Sequence, residues 1–188
     1  MLEEQVAQAL EVLKKGGIIL YPTDTVWGIG CDATNENAVA RIYELKKNTD
    51  KKSMLVLLDN IDKVSLYIQK VPEVAWQLFE VADKPLTLIL PEARGVAGNL
   101  VSEEGTLGIR IVDNEFCRKL IRKLNRPLVS TSANVSGHQA PATLSEISKE
   151  IRDGVDFIVD QSMEERPSRK ASSIIRVGQG GQIEIIRP

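Results

Sequence analysis

With 188 residues, 43% of them hydrophobic, the chain is long enough to bury one substantial core and does not require a second. Its 24 basic and 26 acidic residues leave a formal net charge of −2, which excludes the broad positive field of a tight nucleic-acid binder. Cys31 and Cys117 lie far apart and outside any CxxC or His/Cys cluster, so both read as buried thiols, with no disulfide framework and no zinc site expected.

The N-terminal stretch MLEEQVAQALEVLKKGG carries early acids and amphipathic spacing, unlike a secretory leader, and no apolar run approaches the roughly 18 residues needed to cross a bilayer. A soluble, cytoplasmic protein is expected, with no membrane partner. Leu2, Val6, Ala9, Leu10 and Leu13 predict a helix that Gly16-Gly17 stops before the strand Ile18–Tyr21. Ala38, Val39, Ile42 and Leu45 mark a second helix leading into the strand Met54–Leu58. A third helix is predicted over 60–69, a fourth over 73–82 after Pro72, and a strand over Leu86–Leu90 ended by Pro91. The glycine-bearing stretch 92–105 reads as a loop long enough to act as a lid. Then follow a strand over Leu107–Val112, a helix marked by Phe116, Leu120, Ile121 and Leu124, and a strand over Pro127–Val129. Thr143-Leu144-Ser145-Glu146 fits a capping box that opens a helix over 144–152. Strands over 155–159, 173–177 and 183–186 close the chain around a polar loop at 161–171. Helix and strand alternate first and strands follow one another last, so the expected fold is a single α/β domain over 1–188. Its sheet should be twisted, mixed parallel and antiparallel, and flanked by helices.

Four segments carry candidate chemistry. Tyr21 to Gly30 follows a strand and is dense in hydroxyls, as a ligand-binding loop or an ordinary Thr/Asp turn would be; Gly28-Ile29-Gly30 is no dinucleotide fingerprint, because no third glycine or helix follows. The basic run from Lys46 to Lys52 suits either a solvated helix end or a polyphosphate, and no Walker-A pattern occurs. Arg110 interrupts an apolar strand on the same face as Gly108 and Val112, which fits a carboxylate ligand or an exposed strand face. Ser130 to Gly137 offers hydroxyls and backbone N–H groups after a buried strand, as a phosphate-binding loop or a plain Ser/Asn loop would. His138, the sole histidine, reads as a surface-loop residue.

YPTDTVWGIGCDA (21–33), ELKK (44–47), KPLTLILP (84–91), TLGIRI (106–111), PLVSTSANVSGHQAP (127–141) and SSII (172–175), in this order, resemble the YrdC/TsaC family over nearly the whole chain. STSANVSG is the most specific of these. The resemblance implies a YrdC-like fold with a concave, positively lined cleft. It implies an enzyme, a nucleotidyltransferase that joins L-threonine, bicarbonate and ATP into threonylcarbamoyl-AMP with release of pyrophosphate. Mg²⁺ would accompany the ATP, and the product would pass to the machinery that completes threonylcarbamoyladenosine in tRNA. By family pattern Thr23, Arg110, Ser130 and Ser172 are threonine contacts, and Lys46, Thr106, Ser132, Asn134 and Arg187 are nucleotide contacts. Longer relatives carry a further C-terminal domain, whereas this chain resembles the single-domain form.

Two departures stand out. Many relatives read Lys-x-Arg-Pro where this chain has Lys46-Lys47-Asn48-Thr49, so a cation of the family is missing at Asn48; Lys47, Lys51 or Lys52 could replace that charge, and Lys52 joins the expected ATP contacts. Ala140 stands where some relatives place a nucleotide-binding serine. The expected chemistry needs no protein nucleophile, and catalysis would rest on positioning and charge neutralisation. The rival readings are a module that docks double-stranded RNA or tRNA without catalysis, and a structural partner in ribosome assembly; the acidic balance predicts weak or no direct tRNA binding.

Overall fold

The computed structural model describes residues 1–47 and 54–188. In chain order it forms α1 (Leu2–Lys14), β1 (Ile19–Tyr21), β2 (Gly28–Gly30), α2 (Glu36–Lys46), β3 (Leu55–Leu58), α3 (Val64–Tyr67), α4 (Glu73–Val81), β4 (Leu86–Leu90) and β5 (Leu107–Ile111). There follow α5 (Glu115–Leu124), β6 (Leu128–Ser132), α6 (Lys149–Gly154), β7 (Phe157–Ile158), β8 (Ser173–Val177) and β9 (Ile183–Arg187). The strands make one mixed sheet in the order β7-β1-β2-β6-β3-β5-β4-β8-β9. Pairings β1·β7, β3·β5 and β4·β8 are parallel and the others antiparallel, as the closing run of strands predicts.

Period-2 alternation gives the sheet two faces with different fates. One face buries Val56, Ile109, Leu88, Val129 and Val177 against α2, α3, α4 and α6. The other buries Ile19, Tyr21, Leu57 and Leu128 against α1 and α5, which contribute Val6, Ala9, Leu13, Phe116, Leu120 and Leu124. Asn35 and Asn114 start α2 and α5 by accepting the N–H of Ala38 and Cys117, each at 3.0 Å. On this second face the helices stop short, and the rows beyond them are the polar ones. Leu57 pairs with Arg110, Leu55 with Ser130, Thr87 with Arg110 and Ile89 with Gly108.

Four expectations change. β2 reads as a turn in the sequence because a three-residue Gly-Ile-Gly strand shows no alternation. Its glycines answer a steric demand: a Cβ on Gly30 would lie 2.3 Å from the Val129 carbonyl oxygen and 2.7 Å from the Tyr21 ring. That ring lies across β2 and donates its hydroxyl to Val129 O at 2.9 Å. β6 runs on through Ser130, Thr131 and Ser132, since hydroxyls are compatible with a strand whose face opens on a cleft. The expected helix over 60–69 is a 3-10 turn followed by the four-residue α3. The capping box does not form: Thr143 Oγ1 pairs with Ser145 Oγ, Glu146 reaches back to the Ala142 N–H, and Ser148 caps the shorter α6.

Gly30→Ala is expected to destabilise the protein by about 1–3 kcal/mol, the usual cost of overpacking, measured by urea unfolding.

Candidate active site

The uncovered part of the second sheet face forms the floor of a cleft of about 890 Å³. Its wall comes from the β1–β2 connection (Thr25 to Trp27), from Ser102 to Thr106, and from Arg169 to Ser172. Among the described residues four arginines line it, Arg110, Arg169, Arg176 and Arg187, against two carboxylates, Glu103 and Glu104. Glu104 already pairs with Arg176 at 3.4 Å.

Arg110 is 4% exposed. Its Nη2 donates to Asp24 Oδ1 at 3.1 Å and its Nη1 to Thr25 Oγ1 at 3.0 Å, while its Nε is buried with no partner among the described residues. Arg187 donates Nε to Ser172 O at 2.8 Å. Desolvation, and then the nearby Arg110 charge, push the Arg187 guanidinium below its ordinary value. Two guanidiniums close enough to repel one another, one with an orphaned donor, form a site built for an anion. Hydroxyls surround them: Thr87 Oγ1 and Ser172 Oγ share a 2.7 Å hydrogen bond, and Ser130 and Ser132 project from β6 into the cleft.

Six of the expected contacts, Arg110, Ser130, Ser172, Thr106, Ser132 and Arg187, thus line one cleft, with Ala140 beside them. Thr23 lies behind the wall, donating to Val26 O at 2.8 Å and hydrogen-bonded to Thr25 Oγ1 at 2.9 Å. Lys46 is 2% exposed and donates Nζ to Ser132 O at 2.6 Å and Asn134 O at 2.7 Å, so it braces the turn after β6 from beneath. Asn134 donates to Val135 O and His138 O and closes that turn on itself. The N–H groups of Ala133, Asn134, Ser136 and His138 are spent inside the protein, while the Ser130 and Ser132 hydroxyls face the cleft. Asn48, Lys51 and Lys52 lie outside the described residues.

The stretch 92–105 is no free lid over its whole length. Ala97 N–H donates to Ala33 O, Asn99 donates to Glu36 O, and Tyr43 donates to Asn99 O, which ties it to α2. Of this stretch, Leu100 and Ser102 to Glu104 border the cleft. Thr25, Thr87, Arg169 and Arg176 escape a reading by motif. Thr87 and Arg176 share the alternation of Arg110, but seeing that needs the strand register.

A family model described as "Telomere recombination" (Sua5/YciO/YrdC) matches residues 11–188. The chain belongs to this family. A threonylcarbamoyl-AMP synthase of Idiomarina loihiensis is 36% identical over 151 residues, 79% of this chain and 81% of the relative. One of Pseudomonas aeruginosa is 32% identical over 182 residues, 96% of this chain and 95% of the relative. P. abyssi Sua5 complexed with L-threonine superposes with a TM-score of 0.83 at 26% identity, covering 92% of this chain and 50% of that one. E. coli YciO gives a TM-score of 0.85 at 25% identity, over 100% of this chain and 89% of that one. The chain therefore spans about half the length of Sua5 and most of the shorter family members.

Burial pushes the Lys46 ammonium down from 10.5 to about 8. Between these values the unfolded chain binds the proton more tightly, so folding stability should rise with pH across that window. A neutral amine keeps two N–H groups, enough for both carbonyls. Lys46→Met is expected to cost about 1–3 kcal/mol by leaving the two carbonyls unpaired. Its deficit against the wild type should widen from pH 8 to pH 10.5 in denaturant titrations.

Proposed function

We propose that the chain is an L-threonylcarbamoyladenylate synthase, a nucleotidyltransferase acting on L-threonine, bicarbonate and ATP. The observation that carries this reading is the arginine-lined cleft in which Arg110 keeps a buried Nε, unpartnered among the described residues, beside hydroxyl-bearing strands. The names of the curated relatives and the threonine complex of Sua5 support it.

In this reading Arg110 takes the threonine carboxylate, with Ser130 and Ser172 near the amino acid and Thr23 supporting Thr25 from behind. A free α-amino group has a pKa of about 8, so a useful fraction is neutral near pH 7 and no strong base is needed. The amine attacks bicarbonate and forms the N–C bond of a carbamate with loss of water. A carbamate oxygen then attacks the α-phosphorus, and the bond to the leaving pyrophosphate breaks. Ser132, Thr106 and Arg187 hold the phosphates, while Lys46 and Asn134 fix the turn that presents Ser132. In this reading Lys52 is an ATP contact that replaces the charge missing at Asn48. Mg²⁺ would arrive with ATP, taking most of its oxygens from phosphates and water, with Glu103 and Glu104 the carboxylates on the cleft wall, and would neutralise phosphate charge.

Both sheet faces feed one sheet, which supports reading 1–188 as one YrdC-like domain. Among the described residues no helix is long and apolar enough to cross a membrane. We place the enzyme in the cytoplasm, passing its product to the tRNA threonylcarbamoyl-transfer machinery. The cations of α5 that would follow a phosphate backbone are engaged with acids: Lys119 and Lys123 with Glu3, Arg122 with Asp59, and Arg118 with Asp113. This disfavours the RNA-docking alternative.

Purified protein given ATP, Mg²⁺, threonine and bicarbonate should release pyrophosphate without RNA, and omission of threonine or bicarbonate should abolish the release. Turnover that appears only on adding tRNA would contradict the reading. Arg110→Ala should weaken threonine use by about 2–5 kcal/mol in kcat/KM, the cost of truncating one partner of a buried charge pair.

A further inference from the structure

Asp24 takes no part in the chemistry above, yet the geometry around it is unusually determined. It belongs to the wall between two cavities. Arg110 and Thr25 line the cleft, whereas Asp24 lines a second hollow of about 760 Å³ on the other side, with Asp113, Glu164 and Lys84. Both its carboxylate oxygens are used: Oδ1 accepts from Arg110 Nη2 at 3.1 Å and Oδ2 accepts the Asp113 N–H at 3.2 Å. Its backbone carbonyl accepts the Ser168 N–H at 2.9 Å. The carboxylate is therefore fixed by Arg110 and by the exit of β5, and the backbone that carries it by the 161–171 connection.

A guanidinium is planar, so fixing Nη1 on Thr25 and Nη2 on Asp24 also fixes the direction of Nε. Of the neighbours of Arg110 on this sheet face, Gly108 and Thr87 are small and Leu57 is apolar, so the direction of the guanidinium is set by its hydrogen bonds. From these contacts we infer that Asp24 is a positioning residue that turns Arg110 so that Nε meets the carboxylate of a small amino-acid substrate, without touching that substrate itself. The inference rests on the threonine activation proposed above.

A double-mutant cycle in the full chain tests it, with the KM values for threonine and ATP read separately from pyrophosphate release. Asp24→Asn keeps the side-chain shape but presents one acceptor to two donors. It should raise the threonine KM roughly tenfold or more while leaving the ATP KM within about twofold. In an Arg110→Lys background the same change should add less than about twofold, because its effect travels through the arginine. If Asp24→Asn fails to fold in a thermal melt, Asp24→Glu takes its place, since it keeps the charge but displaces the guanidinium, and the same threonine-selective rise is expected. An unchanged or lowered threonine KM, an equal rise for ATP, or full additivity with Arg110→Lys overturns the inference. A wild type with no threonine dependence overturns the functional reading and this inference with it. A threonine-dependent wild type whose Asp24 variants behave normally overturns this inference alone.

Discussion

A charged arginine inside a sheet strand is costly unless its donors are met, and the cleft is organised around meeting those of Arg110. β5 carries it into the middle of the sheet, and the connection between β1 and β2 folds down to supply Asp24 and Thr25. Thr23 holds Thr25, and the 161–171 connection holds the backbone of Asp24 and Thr25 through Ser168 and Arg169. Segments distant in sequence are thus fixed to one guanidinium. Among the described residues the donor left unpaired is Nε, the one the proposed threonine carboxylate would use.

The cleft itself follows from incomplete coverage. α1 and α5 bury one part of the second sheet face and end where the strand rows change from Leu57 and Leu128 to Ser130, Gly108, Thr87 and Arg110. A sheet with small and polar side chains on an uncovered face binds ligands where a continuous apolar row would have recruited another helix. Small residues matter at this boundary. Gly30 lets the Tyr21 ring lie across β2, and Gly108 leaves room above Leu55, where a Cβ would come within 3.1 Å.

Most of this architecture was legible in the residues. Apolar periodicity located α1, α2 and α5, Pro72 marked the start of α4, and apolar runs located the strands β3, β4 and β5, because each presents a stripe or run to a core. The short β2 and the extension of β6 were not, since glycines and hydroxyls in those strands are chosen by neighbours remote in sequence: Tyr21, Val129 and the cleft. Among site residues, Arg110 stood out as a charge in an apolar strand, and the family pattern supplied Ser130, Ser132, Ser172, Thr106 and Arg187. Lys46 reads in sequence as a cation at a helix end; in the fold its ammonium serves two backbone carbonyls, a role visible only once β6 lies over α2. Thr87 and Arg176 carry no local signal, because it is register that brings them beside Arg110 and Ile89.

A crystal structure with L-threonine and a non-hydrolysable ATP analogue would test the proposed role of Arg110 as the receptor of the threonine carboxylate. The expected result is the amino-acid carboxylate accepting from Arg110 Nε, with Asp24 still on Nη2 and the phosphates along Ser132, Thr106 and Arg187. A carboxylate seated on Arg169 or Arg176, or a phosphate occupying Arg110, would contradict it.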